Sequence, residues 1–344
     1  MSFGTKNWLH SIPIATAVLP LLPVDQWWIR IGDYPRLQLL VAYLVALVLL
    51  IPFRNRRGFA IAVSAVLVAC AIQVFWIYSY LPFTPKHVEA AKSSAAEKQL
   101  RVMAANVLQS NQNADLLLEL VHRREPDLLV LCEISHRWAA DIASLKDHFA
   151  FHRVHPMDNG YGIAFYSQLE VSRCDRRAMV KEEIPSIDAD IILRDGALVR
   201  VFAVHPNPPR PGEDTTKRDA ELILVGREVQ DDESVIVLGD MNDVGWSRTS
   251  DLFQEVSGLL DPRAGRGFYS TFDATSWVMR YPLDYVFHSD DFRVAEMEVL
   301  PPIGSDHFPF WIQLSHEPSA ELEQSAPDLD AGDREDAADA VEAI

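Results

Sequence analysis

Long uncharged runs fill the first quarter of the chain, and a shorter rhythm takes over afterwards. Residues 7–24, 37–53 and 58–85 contain no Asp, Glu, Lys or Arg. A membrane-spanning helix needs roughly 20 mainly apolar residues. The pattern therefore predicts a membrane anchor over 1–85 with about three transmembrane helices, at 8–24, 37–53 and 58–80. Pro13, Pro20 and Pro23 interrupt the first run, and a signal peptide competes there. No small-residue cleavage site stands out and two further spans follow, which favours a span. Soluble helices rarely stay apolar all round.

Basic residues in short loops set orientation. Arg54, Arg56 and Arg57 lie between the second and third runs, so that loop is expected in the cytoplasm, with Lys6 and the N-terminus on the same side. The loop 25–36 is charge-balanced and can face outward. Everything after Pro85 is then extracytoplasmic, which predicts a multi-pass protein of the cell (inner) membrane. Trp27, Trp28, Trp76, Tyr78 and Tyr80 fit an interfacial aromatic belt on the outer side.

After an Ala-rich polar linker at 86–98, short apolar runs alternate with amphipathic ones up to residue 316. Strands are expected at 100–107, 127–133, 161–166, 190–194, 197–205, 235–239, 283–288, 292–300 and 308–314, with another ending at Cys174. Helices are expected at 114–124, 135–147, 215–229 and 249–257, with Ser135 as an N-cap. Such a mixture implies two packed sheets covered by helices. Residues 317–344 hold ten acids against Arg334 and few apolar residues, and read as a disordered acidic tail.

Charge narrows the partners. The whole chain carries −18. Residues 1–85 contribute +4 and 317–344 contribute −9, leaving −13 on residues 86–316. Duplex nucleic acid is held through phosphate neutralisation, so a duplex partner is not expected. Three cysteines make no disulfide framework.

The chemistry lies at strand ends. In Val235-Ile-Val-Leu-Gly-Asp-Met-Asn-Asp243 a core strand ends in Asp240 and Asn242, and residues i and i+2 share a side of an extended chain. Glu133 ends Leu128-Leu-Val-Leu-Cys-Glu133, Asn106 ends the first strand, and His205 follows Val201-Phe-Ala-Val204. Asp284 opens a strand, and Gly304-Ser-Asp-His307 adds Asp306 and His307 before the last. Each alone is an ordinary turn former, strand-edge charge or packed aromatic. Together, hard oxygen ligands, neutral donors and imidazoles suit a divalent cation and a phosphate ester.

This order of motifs resembles the endonuclease/exonuclease/phosphatase superfamily, and with the apolar N-terminal runs it looks like a membrane-anchored bacterial branch. The matching pieces are Ala105-Asn-Val107, Leu131-Cys-Glu133, Val204-His-Pro206, Leu238-Gly-Asp-Met-Asn242, Leu283-Asp-Tyr285 and Gly304-Ser-Asp-His307. The resemblance implies an α+β fold, a DNase I-like four-layer α/β/β/α sandwich, over 99–316. It implies Mg²⁺ or Mn²⁺ on Glu133, with Asn106 and Asp306 close by. Asp240 would activate water, Asn242 would hold water or phosphate, His307 would contact the phosphate oriented by Asp284, and His205 would be a second phosphate-facing imidazole. Cys132 and Met241 stand where Gln and Phe are common, and no acidic partner for His205 is identifiable. The expected activity is a metal-dependent phosphoesterase acting on phosphate ester or pyrophosphate bonds, with a lipid-linked substrate favoured by the outer location. A nuclease, and a non-catalytic receptor or scaffold on the same fold, are the alternatives.

Overall fold

A computed structural model describes residues 8–229 and 234–344, with side chains from residue 12 onward within those ranges. Lys6 lies outside the described residues. The helices α1 (Trp8–Val18), α2 (Trp27–Arg30), α3 (Arg36–Leu50) and α4 (Phe59–Ile77) come first. The alternating region follows as β1 (Gln99–Asn106), α5 (Ala114–Arg124), β2 (Leu128–Cys132), α6 (His136–Asp141), β3 (Phe151–His155), β4 (Ile163–Ser167), β5 (Glu170–Arg177), β6 (Ser186–Ile192), β7 (Leu198–Val204), α7 (Thr216–Glu228), β8 (Val235–Asp240), α8 (Arg248–Ser257), β9 (Asp284–His288), β10 (Phe292–Val299), β11 (Phe310–His316) and α9 (Ala331–Glu342).

Among the described residues the strands form two sheets, in the orders β10-β11-β1-β2-β4-β3 and β5-β6-β7-β8-β9. The β1–β2 and β7–β8 pairs are parallel and the other pairs antiparallel. Side-chain alternation sorts the residues into layers. Val102, Ala104, Val130, Val201, Ala203, Ile236 and Leu238 fill the core between the sheets. Met103, Leu129 and Leu131 meet Leu117, Leu120 and Trp138 of α5 and α6 on one outer face. Phe202, Val235 and Val237 meet Leu222 of α7 and Phe253 of α8 on the other. The expected sandwich is therefore present. Ser135 caps α6, accepting from the Trp138 amide at 3.2 Å.

Several expectations change. β3 and the full β5 have no clear apolar pattern, because both are half-exposed edge strands. β6 begins four residues earlier than expected, in the buried stretch from Ser186. The first apolar run gives only an 11-residue helix, after which a turn with Pro20 at its start redirects the chain. Two helices, Arg36–Phe53 and Phe59–Tyr80, are long and apolar enough to cross a membrane. The acidic tail is not structureless. Asp330 caps α9 with its side chain, and Ala337 is buried beside Phe253 while Ala340 and Val341 pack against the same cluster. These three alanine and valine positions share one helical face, which an average over the acidic composition conceals.

The segment joining α1 to α3 is bound to the sandwich. Tyr34 Oη donates to the Asn242 carbonyl at 2.5 Å, and the Trp246 indole donates to the Asp33 carbonyl at 2.8 Å. Arg30 donates to Thr249 at 3.1 Å. Beyond α4, Tyr80 is buried and not part of an exposed belt: its hydroxyl meets the Gly245 carbonyl at 2.8 Å and Asp261 at 2.9 Å. A β-carbon at Gly245 would overlap the Tyr80 ring. Gly245→Ala is thus expected to destabilise the full-length chain by about 1–3 kcal/mol, the usual cost of overpacking. Thermal unfolding of the detergent-solubilised protein reads this, and an unchanged melting temperature would show that Tyr80 yields freely.

Candidate active site

Polar residues appear where the inward-facing rows of the two sheets end. Val102, Ala104 and Asn106 share one side of β1, and Ile236, Leu238 and Asp240 share one side of β8. His205 continues the row of Val201 and Ala203 one step beyond β7, and Asp284 opens β9 in the row of Val286. The parallel registers align these ends, with Asn106 opposite Cys132 and Val204 opposite Gly239. Gly239 has φ 133°, and a β-carbon there would overlap the Val204 carbonyl. Only glycine lets β8 approach β7 this closely just before Asp240.

Asp240 is the centre of the arrangement and is buried. Its Oδ2 accepts from Asn106 Nδ2 at 3.0 Å, and it lies 3.6 Å from both His205 Nε2 and His307 Nε2. Its Oδ1 accepts from the Asn242 amide at 3.0 Å. Asn106 also donates to Glu133 Oε1 at 2.9 Å, and Glu133 Oε2 accepts from the Gln109 amide at 2.9 Å. Glu133 (φ 64°) and Asn242 (φ 51°) both adopt left-handed backbone conformations. Such conformations cost free energy in non-glycine residues and persist when surroundings enforce them. At Asn242 the enforcing groups are Tyr34 and the buried Arg218, which both donate to its carbonyl, and Pro206, whose carbonyl accepts from Asn242 Nδ2 at 2.9 Å.

Asp284 stands behind His307, accepting from Nδ1 at 2.8 Å. Burial alone would lower the His307 pKa, but Asp284 and Asp240 more than offset that and lift it to about 10. The two carboxylates therefore favour the protonated form of the His307 ring. Burial raises the Asp306 carboxyl, and neighbouring Glu133 and Asp240 push it the same way against the pull of His307. His205 lies 5.6 Å, ring to ring, from Tyr161, and its Nδ1 has no hydrogen-bond partner among the described residues.

A cavity of about 650 Å³ opens over these groups. Asn106, Glu133, His205, Asp240, Asn242, Asp306 and His307 all line it, so seven of the eight sequence-derived site residues meet in one place. The eighth, Asp284, does not line the cavity and reaches it through His307. Asp240, Asp284 and His307 also bring ligand atoms within 4.8 Å of one another. The short Asp284–His307 bond engages two of those three groups. Glu133, Asp240 and Asp306 remain facing the cavity beside the two imidazoles, with Asp273 also in its lining. A hard cation suits that oxygen-rich set and would relieve the mutual repulsion that raises Asp306. Sequence reading missed Tyr161, Phe272 and Tyr34, which also line the cavity. Tyr161 was read as the opening residue of a strand that in fact starts at Ile163, Phe272 sits in a loop with no strand-end signature, and Tyr34 was assigned to a loop between spans.

Comparison with known proteins agrees with this geometry. A family model described as "Endonuclease/Exonuclease/phosphatase family" matches residues 103–307, more than half of the chain. Zebrafish (D. rerio) TDP2 complexed with a single-strand DNA product superposes with TM-score 0.53 at 15% identity, covering 63% of this chain and 99% of that one. An endonuclease/exonuclease/phosphatase family protein from Bacteroides thetaiotaomicron gives 0.52 at 18% identity, covering 64% and 98%. The human nocturnin catalytic domain with bound sulfate gives 0.50 at 18% identity, covering 63% and 94%. No curated protein sequence matches this chain.

The Asp284–His307 pair generates a pH prediction. Asp284→Asn removes the strongest charge holding the His307 proton, so the folded pKa of His307 falls from about 10. If turnover needs the imidazolium, the basic limb of the pH–rate profile moves to lower pH in the variant. An unmoved basic limb with unchanged rate would exclude His307 as the titrating donor.

Proposed function

The chain belongs to the endonuclease/exonuclease/phosphatase family and is a metal-dependent phosphoric ester hydrolase, and we propose that it acts from the outer face of the cell membrane on lipid-linked phosphate esters or pyrophosphates. The observation that carries this reading is the cavity itself. Its lining combines the acids and imidazoles with apolar residues that include Ile31, Tyr34 and Pro35, just ahead of the first of the two membrane-span candidates. The binding of the 25–36 segment to the catalytic domain supports an orientation with both on one side and the Arg54, Arg56 and Arg57 loop on the other. The net charge of −13 on residues 86–316 speaks against duplex nucleic acid.

Glu133, Asp306 and Asn106 would hold Mg²⁺ or Mn²⁺, with Asp240 alongside. The cation would supply charge neutralisation on the phosphate and a more acidic water. The protein groups have separable roles. Asp240 accepts the proton of the attacking water, an Asp poised between two imidazoles and two amide donors. His307 donates to a non-bridging phosphate oxygen as charge develops there, and Asp284 fixes its ring. His205 presents a second imidazole to the same phosphate. Asn242, locked by Tyr34, Arg218 and Pro206, fixes the wall against which water or phosphate rests.

The full-length chain in detergent should hydrolyse phosphate esters only with divalent cation present; lipid phosphates, nucleotides and plasmid DNA form the screen. Exclusive hydrolysis of nucleic acid would replace the lipid reading with a nuclease. Glu133→Gln should abolish most turnover at limiting Mg²⁺ with little change in apo-protein melting. Near-normal turnover there would remove Glu133 as a ligand. Asp240→Asn and His307→Ala should each cost about 10²-fold or more, and the double variant should be little worse than the poorer single. Losses that track lowered melting temperatures would instead make both residues structural.

Topology has its own check. Alkaline phosphatase fused after Ile344 should be active in a bacterial host, and activity only from a cytoplasmic reporter at that point would invert the orientation.

A further inference from the structure

The loop between Asp273 and Tyr281 carries three consecutive apolar side chains in the open. Trp277 is 92% exposed, Val278 66% and Met279 47%. Soluble surfaces tolerate scattered apolar residues, whereas a contiguous group marks an interaction site. The loop does not hang free. Gln38, in the first turn of α3, donates through Nε2 to the Val278 carbonyl at 2.8 Å and the Arg280 carbonyl at 3.2 Å. At its other end the Ala274 amide donates to the Asp306 carbonyl at 2.7 Å, and Phe272 packs on the His307 ring at 4.9 Å. One short loop thus connects the start of an apolar helix with the catalytic groups.

The helix decides what covers the loop. Arg36–Phe53 has only 11% of its residues buried, so its apolar surface faces outward along its length. Gln38 is two residues beyond Arg36, at the polar-to-apolar boundary of that helix. Trp277 is therefore held level with the place where the helix enters its apolar surroundings, and Trp is enriched at that depth of a bilayer. Arg280 holds the loop from within: its guanidinium lies 4.9 Å from the Phe308 ring and 5.7 Å from the Trp277 ring, and its Nε donates to the Ser276 carbonyl at 2.7 Å. Trp28 and Ile31 are likewise exposed on the segment ahead of α3. Met279 and Ile31 also line the cavity.

We propose that the 274–280 loop lies in the phospholipid interface, clipped there by Gln38, and turns the mouth of the catalytic cavity toward the bilayer. The ligand class that follows is an amphiphilic phosphate ester. It enters from the lipid side with its apolar part against Ile31, Pro35 and Met279 and its phosphate directed to His307 and Asp240. This inference rests on the reading of α3 and α4 as membrane spans.

The test is independent of catalysis. The full-length chain with Cys174→Ser and Trp277→Cys, labelled with a polarity-sensitive fluorophore, is placed in nanodiscs of phosphatidylethanolamine and phosphatidylglycerol. Cys70 and Cys132 are buried and remain unlabelled. The label should be quenched by nitroxide-bearing lipids and shielded from aqueous iodide by about fivefold or more relative to the same label at Leu198→Cys, an exposed position at the opposite end of β7. Adding Gln38→Leu should restore iodide access, because the clip is lost while the helix remains. Val278→Cys serves as a second label position if Trp277→Cys folds poorly. Iodide quenching equal to that at position 198 would overturn the proposal. So would a label shielded from both quenchers, which would place a second copy of the chain on the loop. The phosphatase-fusion result separates the two readings: an active external fusion with an iodide-accessible label leaves the anchor intact and sinks the lipid-facing loop.

Discussion

Two parallel strand pairs packed face to face hold the site. In β1–β2 and β7–β8 the inward rows are apolar for several positions and then turn polar at the same end. The register of Val204 against Gly239 sets His205 beside Asp240, and that of Asn106 against Cys132 sets Asn106 beside Glu133. Because the alternation period is two, a slip of one residue would send Asp240 into the apolar layer under α7 and bring Met241 into the cavity. The tight β7–β8 contact at Gly239 makes such a slip sterically difficult. Position in this site is thus inherited from core packing, where registers are strongly specified.

The electrostatics follow from that placement. Asp240 is buried and would be costly as an isolated anion. Asn106, the Asn242 amide, His205 and His307 surround it. His307 in turn keeps its proton because Asp284 sits behind it. Glu133, Asp306 and Asp240 leave an excess of negative charge at the cavity wall, which a divalent cation and not another side chain is suited to balance. Cys132, close to Asp240, takes no part: burial, with nearby Asp240 adding to it, pushes its thiol well above the ordinary range.

The sandwich and all eight candidate site residues were legible from sequence because both depend on the same signal. A buried strand is a dense apolar run, and a polar residue at its end is conspicuous. Where that signal was weak, reading failed. β5, with Arg173, Arg176 and Arg177 along it, forms its edge of the sheet through ion pairs to Asp188, Asp190 and Glu228 that no local pattern announces. α9 was hidden because ten acids over the tail outweigh one narrow face of Ala337, Ala340 and Val341. Tyr34 and Tyr80 were hidden for a different reason. Their roles depend on Asn242 and Gly245, more than 160 positions away, and neither distance nor partner is written in the residues around them.

The joint formed by Tyr34, Tyr80 and the 242–246 loop ties the early part of the chain to a part made much later. The two tyrosines leave the ribosome long before the loop that receives them. Gly245 has room only for a Tyr80 already seated, and Asn242 gains two of its restraining donors only when Tyr34 and Arg218 meet at its carbonyl. The backbone at Asn242 is therefore held by a residue more than 200 positions earlier in the chain. The segment ahead of α3 is in this way part of the cavity and not an appendage to it.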